Sequence, residues 1–375
     1  MPAPHFCFGL DRRSFPLGLR GNPSRQTRRG LLTLRNPEAY ALATMAGGSA
    51  VVASVGQAEN RRAGRWSGVD AKLVVTAALL LAILVVLWVL APSFFRLNNL
   101  VNVLVQTSSL GLMAVGMAPV MIAGGIDLSS PANMALGAVL GAMFMQAGGN
   151  PVVGCLIMVA AATLVGLLNG VAVALLGMIP FVVTLATMTV ATGAAVWLTH
   201  SVSVSGFPDS FYDVLLARLG GVPVSVFVLI AAVTILGVVM SATPFGRYLY
   251  ATGINPRAAL VARVPVRAAT CASYAVSGLM AGLTAVLLSA RLGSASANMG
   301  NDGVVLDVVS ACVVGGVSIY GGSGYVTGAA LGALVITLLS NNLNLLGVSY
   351  YLNLMTKGVV IIGFVALDGL RRRAS

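Results

Sequence analysis

Read for its apolar runs, the chain divides into ten stretches long enough, or nearly so, to cross a bilayer. They fall at 73–90, 98–122, 131–147, 152–176, 181–199, 222–240, 268–290, 304–319, 326–345 and 351–367. A hydrocarbon core of ~30 Å takes about 20 residues at a rise of about 1.5 Å each. Polar punctuation sets the breaks. Pro92 ends the first stretch, and Asn98 and Asn99 open the second. Between Leu97 and Pro208 the only charged residue is Asp127. The pattern predicts an all-α polytopic membrane protein with about ten transmembrane helices, some of them broken by Gly-rich segments.

Ahead of the apolar stretches, residues 1–65 carry ten Arg against three acids, with scattered Pro, Gly and Ser. They lack the apolar core of roughly 7–15 residues that a secretory signal needs. This segment reads as a basic, mostly disordered cytoplasmic leader; Met45 is an alternative start. The domain layout is then a leader over 1–65, a transmembrane domain over 66–370 and a basic tail over 371–375.

Charge placement tests the span count independently. With the N-terminus inside and ten spans, both termini are cytoplasmic, and 18 of the 22 Lys and Arg residues lie inside. That satisfies the positive-inside rule. Composition agrees: 58% of the 375 residues are hydrophobic and 9% charged, with a mean hydropathy of +0.94. Soluble domains carry about 25% charged residues. The net charge of +12 does not make a nucleic-acid surface, because the basic residues avoid the long uncharged stretch.

Other classes of chemistry find little footing. Cys7, Cys155, Cys271 and Cys312 lie in the leader or the spans and read as small apolar filler, not a disulfide framework. With His5 and His200 alone, no histidine-based metal motif exists. Neither Lys72 nor Lys357 stands in a GK[ST] context, so a phosphate-binding P-loop is absent. Any pumping must draw on a separate ATPase or an ion gradient. Gly321-Gly322-Ser323-Gly324 matches the short GxSG pattern of intramembrane serine proteases, yet no histidine follows Ser323 to serve as its base.

Small-xxx-small steps at Gly137/Gly141, Gly166/Gly170, Gly278/Gly282 and Gly324/Gly328/Gly332 predict close helix packing in lipid. A weak internal echo runs from 120–126 and 137–142 to 312–317 and 328–333, at an offset of 191; transporters often contain such repeats. Among the polar residues in the spans, Asn102, Gln106, Asn169, Thr184, Thr187, Asn341, Asn342 and Asn344 offer uncharged donors and acceptors suited to hydroxyl groups. Phe181 and Trp197 could stack on the flat face of a ring-shaped solute. Interhelical glue is the competing role for each. An ionisable residue at a helix centre costs about 2.5–3.5 kcal/mol and usually faces a cavity or a partner, which marks Asp127 and Asp307. Asp127 is a pathway or gating candidate, or else a capping residue at the interface. Asp307 and Lys357 can pair with one another.

Three ordered motifs carry a family resemblance. They are Gly124-Gly125-Ile126-Asp127-Leu128-Ser129, the run from Pro180-Phe181 to Thr187-Met188, and a C-terminal series. That series comprises Arg291-Leu292, Leu306-Asp307, Gly315-Gly316, Gly321-Gly322 and Asn342 to Gly347 with Ser349-Tyr350-Tyr351. Together they resemble the membrane subunits of bacterial sugar ABC importers, the ribose-type permeases, over roughly Phe94 to Asp368. Ser130-Pro131 replaces a V-G pair of that family; Pro131 fits a first helical position and Ser129 or Ser130 a cap. The resemblance implies a permease subunit in a multi-pass bacterial plasma membrane, non-catalytic and without a cofactor of its own. ATP and Mg would sit on a cytoplasmic ABC ATPase. The other implied partners are an extracytoplasmic sugar-binding protein, a second permease copy and the lipid bilayer, with no nucleic acid.

The substrate-pathway candidates are Asn102, Gln106, Asp127, Asn169, Phe181, Thr184, Asp307 and Asn342. The loop 243–266 is implied to couple to the ATPase through Phe245, Gly246, Arg247, Gly253, Asn255, Pro256, Arg257, Ala258 and Ala259. There Asn255 as N-cap and Pro256 as first residue predict a short helix to about Arg263. Branched-chain amino-acid import, within the same superfamily, and secondary transport remain open alternatives.

Overall fold

The computed structural model describes residues 92–349, 351–359 and 362–363. The leader, the stretch at 73–90 and the basic tail lie outside the described residues, as do residues 360–361 and 364–367 of the stretch at 351–367. A 3₁₀ turn (Pro92–Phe95) leads into α1 (Leu97–Ile122), and the Asn99 amide ties the two by donating to the Phe94 carbonyl at 3.0 Å. There follow α2 (Ser130–Gln146), α3 (Pro151–Ala174), α4 (Pro180–Thr199), α5 (Asp209–Leu215) and α6 (Val224–Ala242). Next come two short helices, α7 (Pro244–Ile254) and α8 (Pro256–Val261), then α9 (Val266–Leu292), α10 (Asp302–Val314) and α11 (Val326–Leu345). Residues 351–359 form α12.

Proline and asparagine set many of these starts. Pro131, Pro151, Pro180, Pro244 and Pro256 each occupy the first turn, where the missing N–H has no partner to lose. Asn150 and Asn255 cap α3 and α8, the first by accepting from the Val152 N–H at 2.8 Å. Ser129 takes the N-cap position of α2 as the sequence suggests, but its hydroxyl makes no cap bond; it is engaged elsewhere, as described below. Among the described residues, strands are confined to four two-residue pieces. β1 (Val204–Ser205) pairs antiparallel with β4 (Ser294–Ala295), and β2 (Arg218–Leu219) with β3 (Val222–Pro223).

Six helices among the described residues are long and apolar enough to span a membrane: α1, α3, α4, α6, α9 and α11. The chain is therefore a polytopic, mostly helical membrane protein. The stretch at 131–147 is the 17-residue α2, within one residue of its expected bounds. That at 304–319 comes out short, as the 13-residue α10, which stops where Gly316 turns the chain at φ 80°. Hydropathy carries on through Gly315-Gly316 and does not register the turn.

The six spans form two sets. α1, α9 and α11 bury 56–61% of their apolar windows, whereas α3, α4 and α6 bury 22% each. The second set leaves Leu156, Leu168, Val190, Ile230 and Ile235 exposed, a surface that suits hydrocarbon and not water. The inner helices supply the long buried rows, such as Leu112 to Ile122 on α1 and Ala281, Ala285 and Ala290 on α9.

The glycine steps pair as backbone contacts. Gly166 of α3 meets Gly278 of α9, while Gly170 and Gly282 each pack on the other helix's backbone. A methyl group on Gly166 would lie 2.5 Å from the Tyr274 carbonyl oxygen, one on Gly170 2.6 Å from that of Cys271, and one on Gly282 2.6 Å from Val159 Cα. Gly137 and Gly141 of α2 pack in the same way on Met158 and Gly154 of α3. Gly166→Leu should therefore lower stability by about 3 kcal/mol or more, as overpacking with no room to relax does. Gly237→Ala on α6, where nothing lies within 4 Å, should be neutral or raise it by up to ~1 kcal/mol. Unfolding midpoints in one detergent compare the two; equal losses would remove the interface argument.

The internal echo has a local counterpart. α1–turn–α2 and α10–turn–α11 are both helix–glycine turn–helix units, with positive φ at Gly124 (88°) and Gly316 (80°). Their second helices pack differently. Gly137 and Gly141 meet α3, whereas Gly328 and Gly332 meet the preceding α10.

Candidate functional site

At the C-terminal end of α1 the chain turns through Gly124 and Gly125 into Asp127, which is fully buried. Its Oδ1 accepts from the Ser129 N–H at 3.0 Å and the Ser129 hydroxyl at 2.6 Å, and its Oδ2 from the Ser277 hydroxyl on α9 at 2.7 Å. Ser129 Oγ in turn accepts from the amides of Asn133 (2.9 Å, α2) and Asn169 (2.7 Å, α3). Thr187 on α4 donates to Asn169 Oδ1 at 2.6 Å, and Thr184 donates to the Ile126 carbonyl at 3.3 Å. The carboxylate accepts directly from Ser129 and Ser277, and through Ser129 and Asn169 the network joins α2, α3, α4 and α9. The carboxylate needs no cation beside it, because hydroxyl and amide groups supply its hydrogen bonds.

Toward the opposite ends of α1, α9, α10 and α11, these helices and α12 enclose a cavity of about 350 Å³. α1 contributes Gln106 and Ser109, α9 Thr284 and Arg291, and α10 Asp307. α11 adds Thr337, Ser340 and Asn344, and α12 Asn353 and Lys357; Met113 and Met134 supply apolar wall. Lys357 Nζ lies 2.9 Å from each oxygen of Asp307, and both side chains are mostly buried. Asn353 donates to Asn344 Oδ1 at 3.4 Å. The volume falls within the ~300–1,000 Å³ usual for small-molecule sites, and apolar walls with a few converging polar groups are their usual lining.

A third arrangement links the short helices to the bundle. Gly253 near the end of α7 sits so close to the Ile122 carbonyl and the Gly322 N–H that no side chain fits between them. The Gly322 N–H donates to the Ile122 carbonyl at 2.9 Å, and a methyl on Gly321 would lie 2.9 Å from Gly124 Cα. Gly321 and Gly322, at φ 84° and 73°, hold conformations that other residues seldom adopt. The Tyr250 hydroxyl donates to the Gly324 carbonyl at 2.7 Å; burial, with a smaller contribution from Tyr325, pushes its pKa up to about 12, so it stays a donor. The end of α7 thus rests, backbone on backbone, on the turn that leads to Asp127 and on the loop between α10 and α11. Beyond it, α8 is held by Asn255, whose side chain accepts from the N–H groups of Arg257 and Ala258 at 3.1 Å each.

A chain with these spans, an interior polar cavity and a rigidly seated pair of short helices has the parts of a transport subunit. The family described as branched-chain amino acid transport system / permease component matches residues 99–365. This chain belongs to that family. The permease is 37% identical to the ribose import permease protein RbsC of Bacillus subtilis, over 83% of this chain and 97% of that protein. It is 35% identical to RbsC of Escherichia coli K12, over 78% and 92%. It is 34% identical to the galactose/methyl galactoside import permease protein MglC of the same organism, also over 78% and 92%. No solved structure matches it.

The pathway candidates of the permease separate into three places. Gln106 and Asp307 line the cavity. Asp127, Asn169 and Thr184 belong to the polar cluster at the other end of the bundle. The remainder lie elsewhere: Asn102 is exposed, Phe181 is 52% exposed on α4, and Asn342 is buried on α11 without lining the cavity. Phe181 and Trp197 point outward because α4 is an outer helix with little of its surface buried, so neither is placed to stack on a solute in this cavity. Of the coupling candidates, Phe245, Gly246, Arg247 and Gly253 lie on α7, and Pro256, Arg257, Ala258 and Ala259 on α8 behind the Asn255 cap. The loop holds two helices instead of one, and the second ends at Val261, just before Arg263 at φ 60°.

Sequence reasoning missed Ser109, Thr284, Arg291, Thr337, Ser340 and Asn353 as cavity residues. Spacing could have flagged Thr337, Ser340 and Asn344, which recur every three or four residues on one face of α11. Arg291 figures in the sequence only as part of the Arg291-Leu292 motif, with nothing local to mark a cavity in front of it.

Proposed function

We propose that this permease is the membrane subunit of an ATP-driven importer of sugars of the ribose or galactose kind, and that it forms the translocation pathway. The observation that carries the reading is identity of 34–37% along nearly the whole length of relatives named for ribose and galactose import. The family description names branched-chain amino acids, but these relatives are named for sugars, and the polar residues of the cavity suit hydroxyl groups. The subunit is a transport component and not an enzyme. Its driving force comes from a separate ATPase that binds ATP and Mg, consistent with the missing P-loop motif.

In this reading ten spans place both termini in the cytoplasm. The cavity then opens toward the outside, where a sugar-binding protein delivers solute, and α7–α8 face the ATPase. A second permease copy completes the pathway. Closure of the ATPases presses on α8, and the glycine contact at Gly253 passes that movement to the Asp127 turn and the α10–α11 loop.

The test is reconstitution with an ATPase and a binding protein. ATP-dependent accumulation of ribose or galactose, but not leucine, is the expected result; the permease alone concentrating solute would sink the reading. Within it, Asn255→Ala removes a cap worth about 1 kcal/mol and should weaken co-purification with the ATPase. Gly253→Val should leave that binding intact and abolish uptake. If both variants pump normally, α7–α8 do not couple.

A further inference from the structure

The cavity holds more hydrogen-bonding capacity than the protein uses. Arg291, half-buried at the end of α9, offers five N–H donors in a rigid fork, and it makes no hydrogen bond or ion pair among the described residues. Asn353 on α12 is only 6% exposed. Its amide nitrogen reaches Asn344 Oδ1, but its own Oδ1 is buried without a partner. The other two charges in the lining, Asp307 and Lys357, pair with each other. Besides the Gln106 amide and the Ser109, Thr337 and Ser340 hydroxyls of the lining, Arg291 and Asn353 offer a solute one cationic donor group and one neutral acceptor.

That combination selects among solutes. A buried polar group left unmet is costly, so the favoured occupant meets both. A hydroxyl group accepts and donates at once, and neighbouring hydroxyls on one ring can do each in turn. A carboxylate only accepts: it suits Arg291, leaves Asn353 unmet and brings its charge near Asp307. An ammonium only donates and enters against the charges of Arg291 and Lys357.

We propose that Arg291 and Asn353 form a recognition pair for an uncharged polyhydroxylated solute, Arg291 donating to one hydroxyl and Asn353 accepting from another. The pair disfavours acidic and cationic solutes of the same size. This inference rests on the reading of the cavity as the solute pathway.

The test uses phenylglyoxal, an arginine-selective dicarbonyl, on the full-length permease with its ATPase in proteoliposomes. Mass spectrometry follows the rate of modification at Arg291 against exposed Arg218 of the same chain. D-ribose, D-galactose, glucuronate and L-leucine are each added over a wide concentration range. Ribose or galactose should slow modification of Arg291 by the factor 1 + [L]/Kd, about elevenfold at ten times Kd, and leave Arg218 unchanged. In Asn353→Leu, Arg291 should react at the wild-type rate without sugar and lose most of the protection with it. No protection by either neutral sugar overturns the proposal, as does stronger protection by glucuronate or leucine. The wild-type comparison decides it even if the variant does not fold. ATP-driven uptake in the same vesicles separates the two readings. Uptake without protection discards the recognition pair alone, and absence of uptake discards the transport assignment, while protection still decides the pair.

Discussion

Neutralising Asp307 or Lys357 alone should damage the permease more than neutralising both. The ammonium lies 2.9 Å from both carboxylate oxygens, and the side chains of Lys357 and Asp307 are 14% and 22% exposed. Removing one member strands the other in a poorly solvated wall, which costs about 3–5 kcal/mol in buried pairs. Asp307→Asn and Lys357→Met should each lose stability of that order. The double variant should recover most of it, because a buried pair and an uncharged replacement of similar volume differ little. Unfolding in one lipid or detergent system, arranged as a double-mutant cycle, reads the coupling directly. Additive losses would mean that the two charges do not depend on each other. Stability is the proper readout, since both residues also line the cavity and uptake would mix the two effects.

The second large effect is expected at Asp127. Asp127→Ala removes an acceptor from the Ser129 N–H, the Ser129 hydroxyl and the Ser277 hydroxyl, all within a fully buried cluster. Stranded donors cost roughly 1–3 kcal/mol each, so a loss of about 3–5 kcal/mol follows, with uptake falling alongside it. Asp127→Asn keeps the shape and one acceptor oxygen, and the Ser277 hydroxyl can turn to accept from the new amide. That variant should lose only about 1 kcal/mol and keep substantial uptake. The pair of substitutions separates two roles for this carboxylate. If the charge itself acts on the solute, Asp127→Asn will abolish uptake in a stably folded protein. If it anchors the four helices, stability and uptake will fall together in Asp127→Ala and survive in Asp127→Asn.

Much of the scaffold was legible because local chemistry wrote it. Pro151, Pro180 and Pro256 begin helices for the same reason anywhere, and Asn255 caps α8 with bonds that reach only two and three residues ahead. The glycine steps were legible as contacts but not as partners. Nothing local to Gly166 says that it meets Gly278, since that depends on how α3 and α9 are brought together. The same limit hid the cluster around Asp127, whose Ser277 partner is 150 positions away. The Asp307–Lys357 pairing was legible because only two charges lie in that part of the chain and each is costly alone. Phe181 and Trp197 show a different failure. In lipid, apolar and aromatic residues are stable facing outward, so hydropathy cannot say which side of a helix lines a pathway. Arg291 sits at a helix end, where a basic residue is ordinary, and only the enclosing helices reveal the space in front of it.

The contact of Gly253 with Ile122 and Gly322 joins main chain to main chain, with no rotamer between the two sides to bend and absorb a displacement. Close-packed protein has low compressibility, so this joint has little mechanical slack, and a small push on α7 arrives undiminished at the turn beyond α1. A joint made through side chains instead would act as a spring and give way under the same push.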